Sequence, residues 1–321
     1  MKNQVDKCVP PTGRQAGGKS GWLLTLSLAA MFGVLSGCAG PPAAVTIPDL
    51  EGTFGVGSIL SGKTGRSVSL EALVADLARA RIVYVGEKHT NPAHHQIQVQ
   101  LMALLHQHHT RLTVGMEMFD RTYQAVLDQW SAGELQEDAF LQKTQWYANW
   151  RYPYPLYREI LDFIRHQRLP LFALNLPGHI PARIRVGGIA NLTPYDSPWL
   201  PAEIDLTHEA HRRHLKTVFQ RHAFADEARF EFFYEAQCVW EETMAESIAR
   251  SLSAAPMLVL AGNSHIQYHY GIPERALRRT GAAFRTVYLA TVGDSIDLGI
   301  ADYIWVTPDA SSPRNKGRGT E

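Results

Sequence analysis

Apolar residues along this chain gather in short dense runs, and longer stretches of helical period separate them. Six runs are predicted strands: RIVYVGE (81–87), RLTVGMEMF (111–119), PLFALNLP (170–177), MLVLAGNSH (257–265), FRTVYLA (284–290) and DYIWVTP (302–308). Four of them are almost continuously apolar, the pattern of strands whose sheet is covered on both faces. Between them, Ile97, Leu101, Leu104 and Leu105 share one side of a helix over 94–109. Leu156, Ile160, Phe163 and Ile164 do the same over 155–167, and a longer helix over 233–252 carries Phe233, Val239, Met244 and Ile248 in a broad apolar stripe. Strands alternating with helices predict an α/β fold: one domain over 54–308 with a mostly parallel central sheet and helices on both faces. Segments 120–155 and 178–235 exceed what simple connections need and are predicted helical lobes inserted over one sheet edge.

The N-terminus follows another pattern. Lys2, Lys7, Arg14 and Lys19, against the single acid Asp6, precede the apolar run WLLTLSLAAMFGVL, which ends in Leu35-Ser36-Gly37-Cys38. The run is too short for a permanent membrane span. A basic leader, a short apolar stretch and small residues at the cut make residues 1–37 a secretory signal. Leu-Ser-Gly-Cys resembles the bacterial lipobox, which implies cleavage before Cys38, lipidation of its thiol and anchoring at the cell envelope. Ala39, rather than Asp, resembles the pattern for outer-membrane retention. Residues 38–53, rich in Pro and Ala, are expected to be a flexible tether, and 309–321 a disordered tail. With Cys8 in the leader and Cys38 acylated, only Cys238 remains, so no internal disulfide is expected.

Charge excludes one class of partner. The chain balances 31 Lys and Arg against 31 Asp and Glu, and the leader holds four of those bases, so the remainder is slightly acidic. Nucleic acid is not an expected partner. A nucleotide needs a closer look, because GSILSGKTG (57–65) fits the phosphate-loop pattern with Gly57, Gly62, Lys63 and Thr64. A working loop follows a buried strand and opens directly into a helix. Here Gly65, Arg66 and Ser67 interrupt, and the helix begins later, at SLEALVADLARA, with Ser67 or Ser69 as its cap. The match is read as a turn in a small hairpin, and no nucleotide is expected.

Ligands of open α/β sheets sit beyond the carboxyl ends of the strands. Those ends carry Glu87 and His89, Glu117, Asn175, and Asn263 with His265. A lone strand-end His is usually solvated, but Glu117 lies among Met116, Met118 and Phe119, where an unpaired carboxylate is costly to bury. Two readings stay open for Glu87, His89, Glu117 and His265. They form a catalytic general acid and base cluster, or His89, Glu117 and His265 ligate a divalent metal with an open position. His94 and His95, close to the GEKH turn, are further candidates for lining the site.

The motifs VGEKHTNPAHHQIQVQLMALL, EMFDR, WYANWRYPYPLYREIL, ALNLP, YEAQCVWEETMAESIA and AGNSHIQYHYGIPER together resemble the ChaN-like haem-binding lipoproteins of the Tiki and erythromycin-esterase-like group. The resemblance covers roughly 54–290. One departure is Glu241 after Trp240, where the family pattern has Asp; the carboxylate is kept. The resemblance implies binding of ferric haem b in iron acquisition, a homodimer formed on haem binding, and an outer-membrane haem receptor as a further partner. It also implies a Tyr ligand to the iron with a partner-subunit His nearby. Tyr268 and Tyr270, with His269 between them, are the candidates, and in an extended segment the two tyrosines would share a side. Tyr152, Tyr154 and Tyr157 form a second aromatic edge able to flank a macrocycle. The wider group also has enzymes, so a hydrolase acting on an ester or amide through the strand-end cluster is the alternative.

Overall fold

The computed structural model describes residues 44–221 and 226–310; the expected leader, Cys38 and residues 311–321 of the expected tail lie outside them. Nine strands are described: β1 (Val45–Thr46), β2 (Thr53–Phe54), β3 (Ile59–Ser61), β4 (Ile82–Val85), β5 (Thr113–Asp120), β6 (Leu171–Asn175), β7 (Met257–Leu260), β8 (Phe284–Thr291) and β9 (Tyr303–Thr307). β4 to β9 are the six predicted strands. They build one seven-stranded sheet in the order β3-β9-β8-β4-β7-β5-β6, parallel throughout except for β3 against β9. β4, at the centre, pairs with both β7 and β8, so the loops after these strands converge.

The helices are α1 (Leu70–Leu77), α2 (Pro92–His108), α3 (Gln124–Ser131), α4 (Glu137–Thr144), α5 (Trp146–Asn149), α6 (Arg158–Gln167), α7 (His179–Gly187), α8 (Glu209–Gln220), α9 (Glu227–Ser251) and α10 (Ile272–Thr280). Alternate strand residues bury on opposite faces. Val83, Val85, Val114, Met116, Leu258 and Leu260 pack with residues of α1, α2 and α6. Ile82, Tyr84, Met257 and Val259 pack with Met244, Ala245 and Ile248 of α9 and with Ile272 and Ala276 of α10. Two covered faces explain the continuous apolar runs. The lobe after β5 is pinned by aromatic packing, with Trp146 at 5.5 Å from Phe119 and Trp130 at 4.3 Å from Phe140, ring centre to ring centre.

The expected tether ends earlier than composition suggested. β1 and β2 pair antiparallel, and Val45 and Ile47 are fully buried with Leu60, Ile296 and Ile300. Thr46 donates its N–H to the Asp294 carbonyl at 3.0 Å. Two apolar residues were enough to form a strap on the β8–β9 side, too short a signal to read as periodicity.

The phosphate-loop match is a tight turn. Its Gly62 and Gly65 N–H groups are engaged by the Asp302 and Ser61 carbonyls, each at 2.8 Å. A Cβ on Gly62 would lie 1.7 Å from the Ala301 carbonyl oxygen, so glycine is needed here for close backbone approach. α1 begins afterwards, with Ser69 Oγ accepting from Ala72 N at 3.2 Å.

Both margins of the sheet are occupied. On the outer side of β6, the Gln124 amide donates to the Leu171 carbonyl at 2.8 Å and accepts from Ala173 N–H at 2.9 Å. On the outer side of β3, Ser61 donates to Arg66 O and Val68 to Ile59 O.

Candidate functional site

The carboxyl end of β5 and the loops after β4 and β7 bring Glu87, His89, Glu117 and His265 together. Gly86 permits the approach: a Cβ there would sit 1.9 Å from Asn263 Oδ1, while Asn263 N–H donates to the Glu87 carbonyl at 2.9 Å. The buried Glu87 carboxylate meets His89 Nδ1 at 2.8 Å, accepts from Tyr157 OH at 2.5 Å, and accepts from Gln98 Nε2 at 2.9 Å. Burial alone would raise its pKa, but the bonds and charges of His89 and His95 outweigh this and hold it well below the usual carboxylate range. Burial lowers the His89 pKa, and Glu87 and Glu117 more than restore it, so the protonated form is favoured.

Glu117 sits at the carboxyl end of β5. Its Oε2 accepts from Gly262 N–H at 2.6 Å and its Oε1 lies 3.4 Å from His265 Nε2. The other ring nitrogen, Nδ1, is 3.2 Å from Glu241 Oε1 on α9, and Glu241 Oε2 lies 3.5 Å from His211 Nε2 and 3.6 Å from Arg275 Nε. His265 is thus clamped between two buried carboxylates. Burial opposes its charge, but Glu117 and Glu241 push its pKa up to about 10. At neutral pH it is an imidazolium, which cannot act as a base. Asn175 orients the strand ends by donating to the Glu117 carbonyl at 2.9 Å.

His89 and Glu117 open on a cavity of about 760 Å³. Trp150 and Tyr152 stand beside His89, with ring centres 4.9 Å from its imidazole, and Trp240, Arg185 and Pro177 also line the cavity. His89 Nε2 has no protein partner among the described residues. A Cβ on Gly262 would lie 3.1 Å from the His89 ring and 3.5 Å from Glu117 Oε2, so the glycine keeps the space between these groups open.

Several predicted residues lie elsewhere. His94 accepts from Lys88 N–H through Nδ1 at 2.8 Å and meets Thr307 Oγ1 through Nε2 at 2.9 Å. Burial pushes its pKa down to about 3, so it is a neutral brace for the β4–α2 turn. His95 is buried against Tyr157, 3.5 Å from Glu87. Tyr154 is fully buried beside Trp146 and does not line the cavity. His89, Glu117 and His265 do meet, but each is engaged by neighbours; among the described residues no group of three or more His, Cys, Asp or Glu side chains is arranged to hold a metal ion.

Tyr268 and Tyr270 lie outside the cavity lining. The segment is not extended: Tyr268 and His269 have φ of 54° and 67°, an uncommon conformation for side-chain-bearing residues. The two tyrosine rings nonetheless stack with centres 5.5 Å apart. Tyr268 OH donates to Asp297 at 2.5 Å. The Tyr270 hydroxyl has no protein partner among the described residues, and its ring is flanked by His208 at 5.1 Å and His211 at 6.2 Å. His269 turns away, to Thr286 Oγ1 at 3.0 Å.

With this geometry in place, residues 73–276 match the family described as haem-binding uptake, Tiki superfamily, ChaN. The chain belongs to the ChaN family. Its fold is that of ChaN from Campylobacter jejuni, solved with cofacially bound haem: TM-score 0.64 at 21% identity, covering 77% of this chain and 95% of that one. The erythromycin esterase EreC in an open conformation aligns at 13% identity and TM-score 0.43, covering 73% of this chain and 77% of that one. No curated protein matches. Sequence reasoning found the strand-end groups but missed their supports: Gln98, His211, Arg275, and Gln237, whose Nε2 lies 3.0 Å from His265 Nδ1. Gln98 carried a signal: it stands three residues before Leu101 and seven before Leu105, a polar group within an apolar stripe.

Proposed function

We propose that this ChaN-family chain binds ferric haem b at the cell envelope and serves iron acquisition, with Tyr270 as the protein ligand. The observation that carries the residue choice is the free phenol. Tyr268 is committed to Asp297, whereas Tyr270 is half-buried, unpartnered and surrounded by His208, His211 and His214. That donor set fits the group, because an anionic phenolate suits ferric iron and imidazoles nearby can hydrogen-bond or ligate. Saturable binding of hemin with a tyrosinate-type visible spectrum is expected, together with a shift from monomer to dimer in sedimentation velocity. Tyr270→Phe should abolish the tyrosinate band and Tyr268→Phe should keep it. A Tyr270→Phe spectrum identical to the parent would sink the ligand choice, and no saturable change in the parent would sink haem binding.

The envelope part of the reading rests on the lipobox. Labelled palmitate should be incorporated into the full-length chain in a bacterial host and lost in Cys38→Ala; retention of label in that variant would reject anchoring at this residue. The haem receptor is the partner such an anchored protein would serve.

One observation favours hydrolysis as a second reading. His89 lines the cavity with its Nδ1 braced by Glu87 and its Nε2 free, the arrangement of an oriented acid–base group. An ester or amide substrate turned over by the parent and about 100-fold more slowly by His89→Ala would support it; equal rates would exclude His89 as the catalytic group.

A further inference from the structure

The cavity over His89 has an unusual charge inventory. Both of its carboxylates are engaged: Glu117 with Gly262 N–H and His265, and Asp120 with the Thr122 N–H and hydroxyl. Its two arginines are not. Arg185, in the last turn of α7, makes no hydrogen bond or ion pair among the described residues; its guanidinium lies 5.6 Å over the Trp240 ring. It is open to the cavity, yet desolvation by the surrounding protein lowers its pKa from the usual value. Arg151 is likewise unpartnered, and a left-handed backbone (φ 69°) sets it at the cavity wall.

Two unpaired guanidinium groups in a cavity walled by Trp150, Tyr152 and Trp240 lack an anion. A guanidinium placed over an indole face is restrained by the ring, and a carboxylate matches its fork. We propose that the cavity is a binding site for a carboxylate attached to a flat apolar body, with Arg185 on Trp240 as the primary anchor and Arg151 as the secondary one. The cavity, about 760 Å³, falls in the range of small-molecule sites and exceeds what a single inorganic anion needs. The site is separate from the Tyr268–Tyr270 pair. It rests on the cleft of the second reading being a ligand site, although not on turnover there. The carboxylate has two possible sources, a free organic acid or a haem propionate.

The test is calorimetric titration of the protein with 2-naphthoate and, in parallel, with its neutral isostere 2-naphthamide. One saturable site is expected, with the acid bound at least about tenfold more tightly than the amide, the value of one charge-assisted contact. Arg185→Gln should erase that preference, Arg185→Lys should restore part of it, and Arg151→Gln should weaken it less. Arg185 has no hydrogen bond or ion pair to lose, only its contact over Trp240, so folding of these variants, checked by thermal melts, is expected to be nearly unchanged. If the anion is a haem propionate, hemin displaces 2-naphthoate and binds more weakly to Arg185→Gln. If it is a free acid, hemin titrates Arg185→Gln and the parent alike. Absence of saturable 2-naphthoate binding, or equal affinity for acid and amide, overturns the proposal, and either result leaves the hemin and His89 tests standing on their own.

Discussion

His265 is the residue whose environment has the clearest consequence. Its ordinary pKa of 6.5 rises to about 10 in the fold, and that of Glu241 falls from 4.5 to about 2, against the cost of burial in both cases. A His raised in the fold stabilises fully below its unfolded pKa and loses that contribution as pH rises through the folded value. A lowered Glu stabilises above its unfolded pKa and loses the contribution as pH falls. The buried neutral His94, lowered from 6.5 to about 3, opposes folding as pH falls below 6.5, so the thermal midpoint should be highest near pH 6.5 and decline steadily from 6.5 to 10. Glu241→Gln, by lowering the His265 pKa, should shift the decline to lower pH. A flat profile above pH 6.5 in the parent would show that His265 is neutral. Strand-end charges such as Glu87 and Glu117 were legible because a carboxylate within an apolar run demands a partner. Those partners were not. Tyr157 reaches Glu87 across 70 positions and Gly262 reaches Glu117 across 145, distances over which no local pattern carries information.

Among the elements, the long periodic ones were readable and the two-residue ones were not. β4 to β9 follow from apolar runs, and α9 from its stripe, but β1 and β2 contain too few positions to display a period. The same limit hid the kinked 267–270 turn, whose left-handed residues Tyr268 and His269 break the expected extended geometry. The strap formed by β1 and β2 is nevertheless part of the fold. Removing residues 44–53 would uncover Leu60, Ile296 and Ile300 and delete two fully buried aliphatic side chains, Val45 and Ile47. At roughly 1.5–3 kcal/mol for each such side chain, a chain beginning at residue 54 should be less stable by about 3–6 kcal/mol than one beginning at 44. Urea denaturation of the two would measure this, and equal midpoints would mean the strap contributes no stability.

At the level of the whole molecule, the central position of β4 explains why chemistry collects where it does. Strand ends on this rim lie side by side, so the Glu87–His89 pair after β4 meets Glu117 of β5 and His265 after β7, which are distant in the chain. The bare motif GSILSGKTG, by contrast, contains the edge strand β3, and its Gly62 and Gly65 amides are already bonded, which is why a letter-perfect match carries no chemistry. Gln124 has a wider effect than its two bonds suggest. By occupying one outward carbonyl and one outward amide of β6, it takes part of the place of a further strand, and the 66–68 segment does the same at β3. A sheet closed off at both ends offers no template for fibre-like growth. Zipping of crowded molecules into a continuous ribbon is therefore disfavoured, and pairing of copies is expected through helices, loops or a ligand held between them.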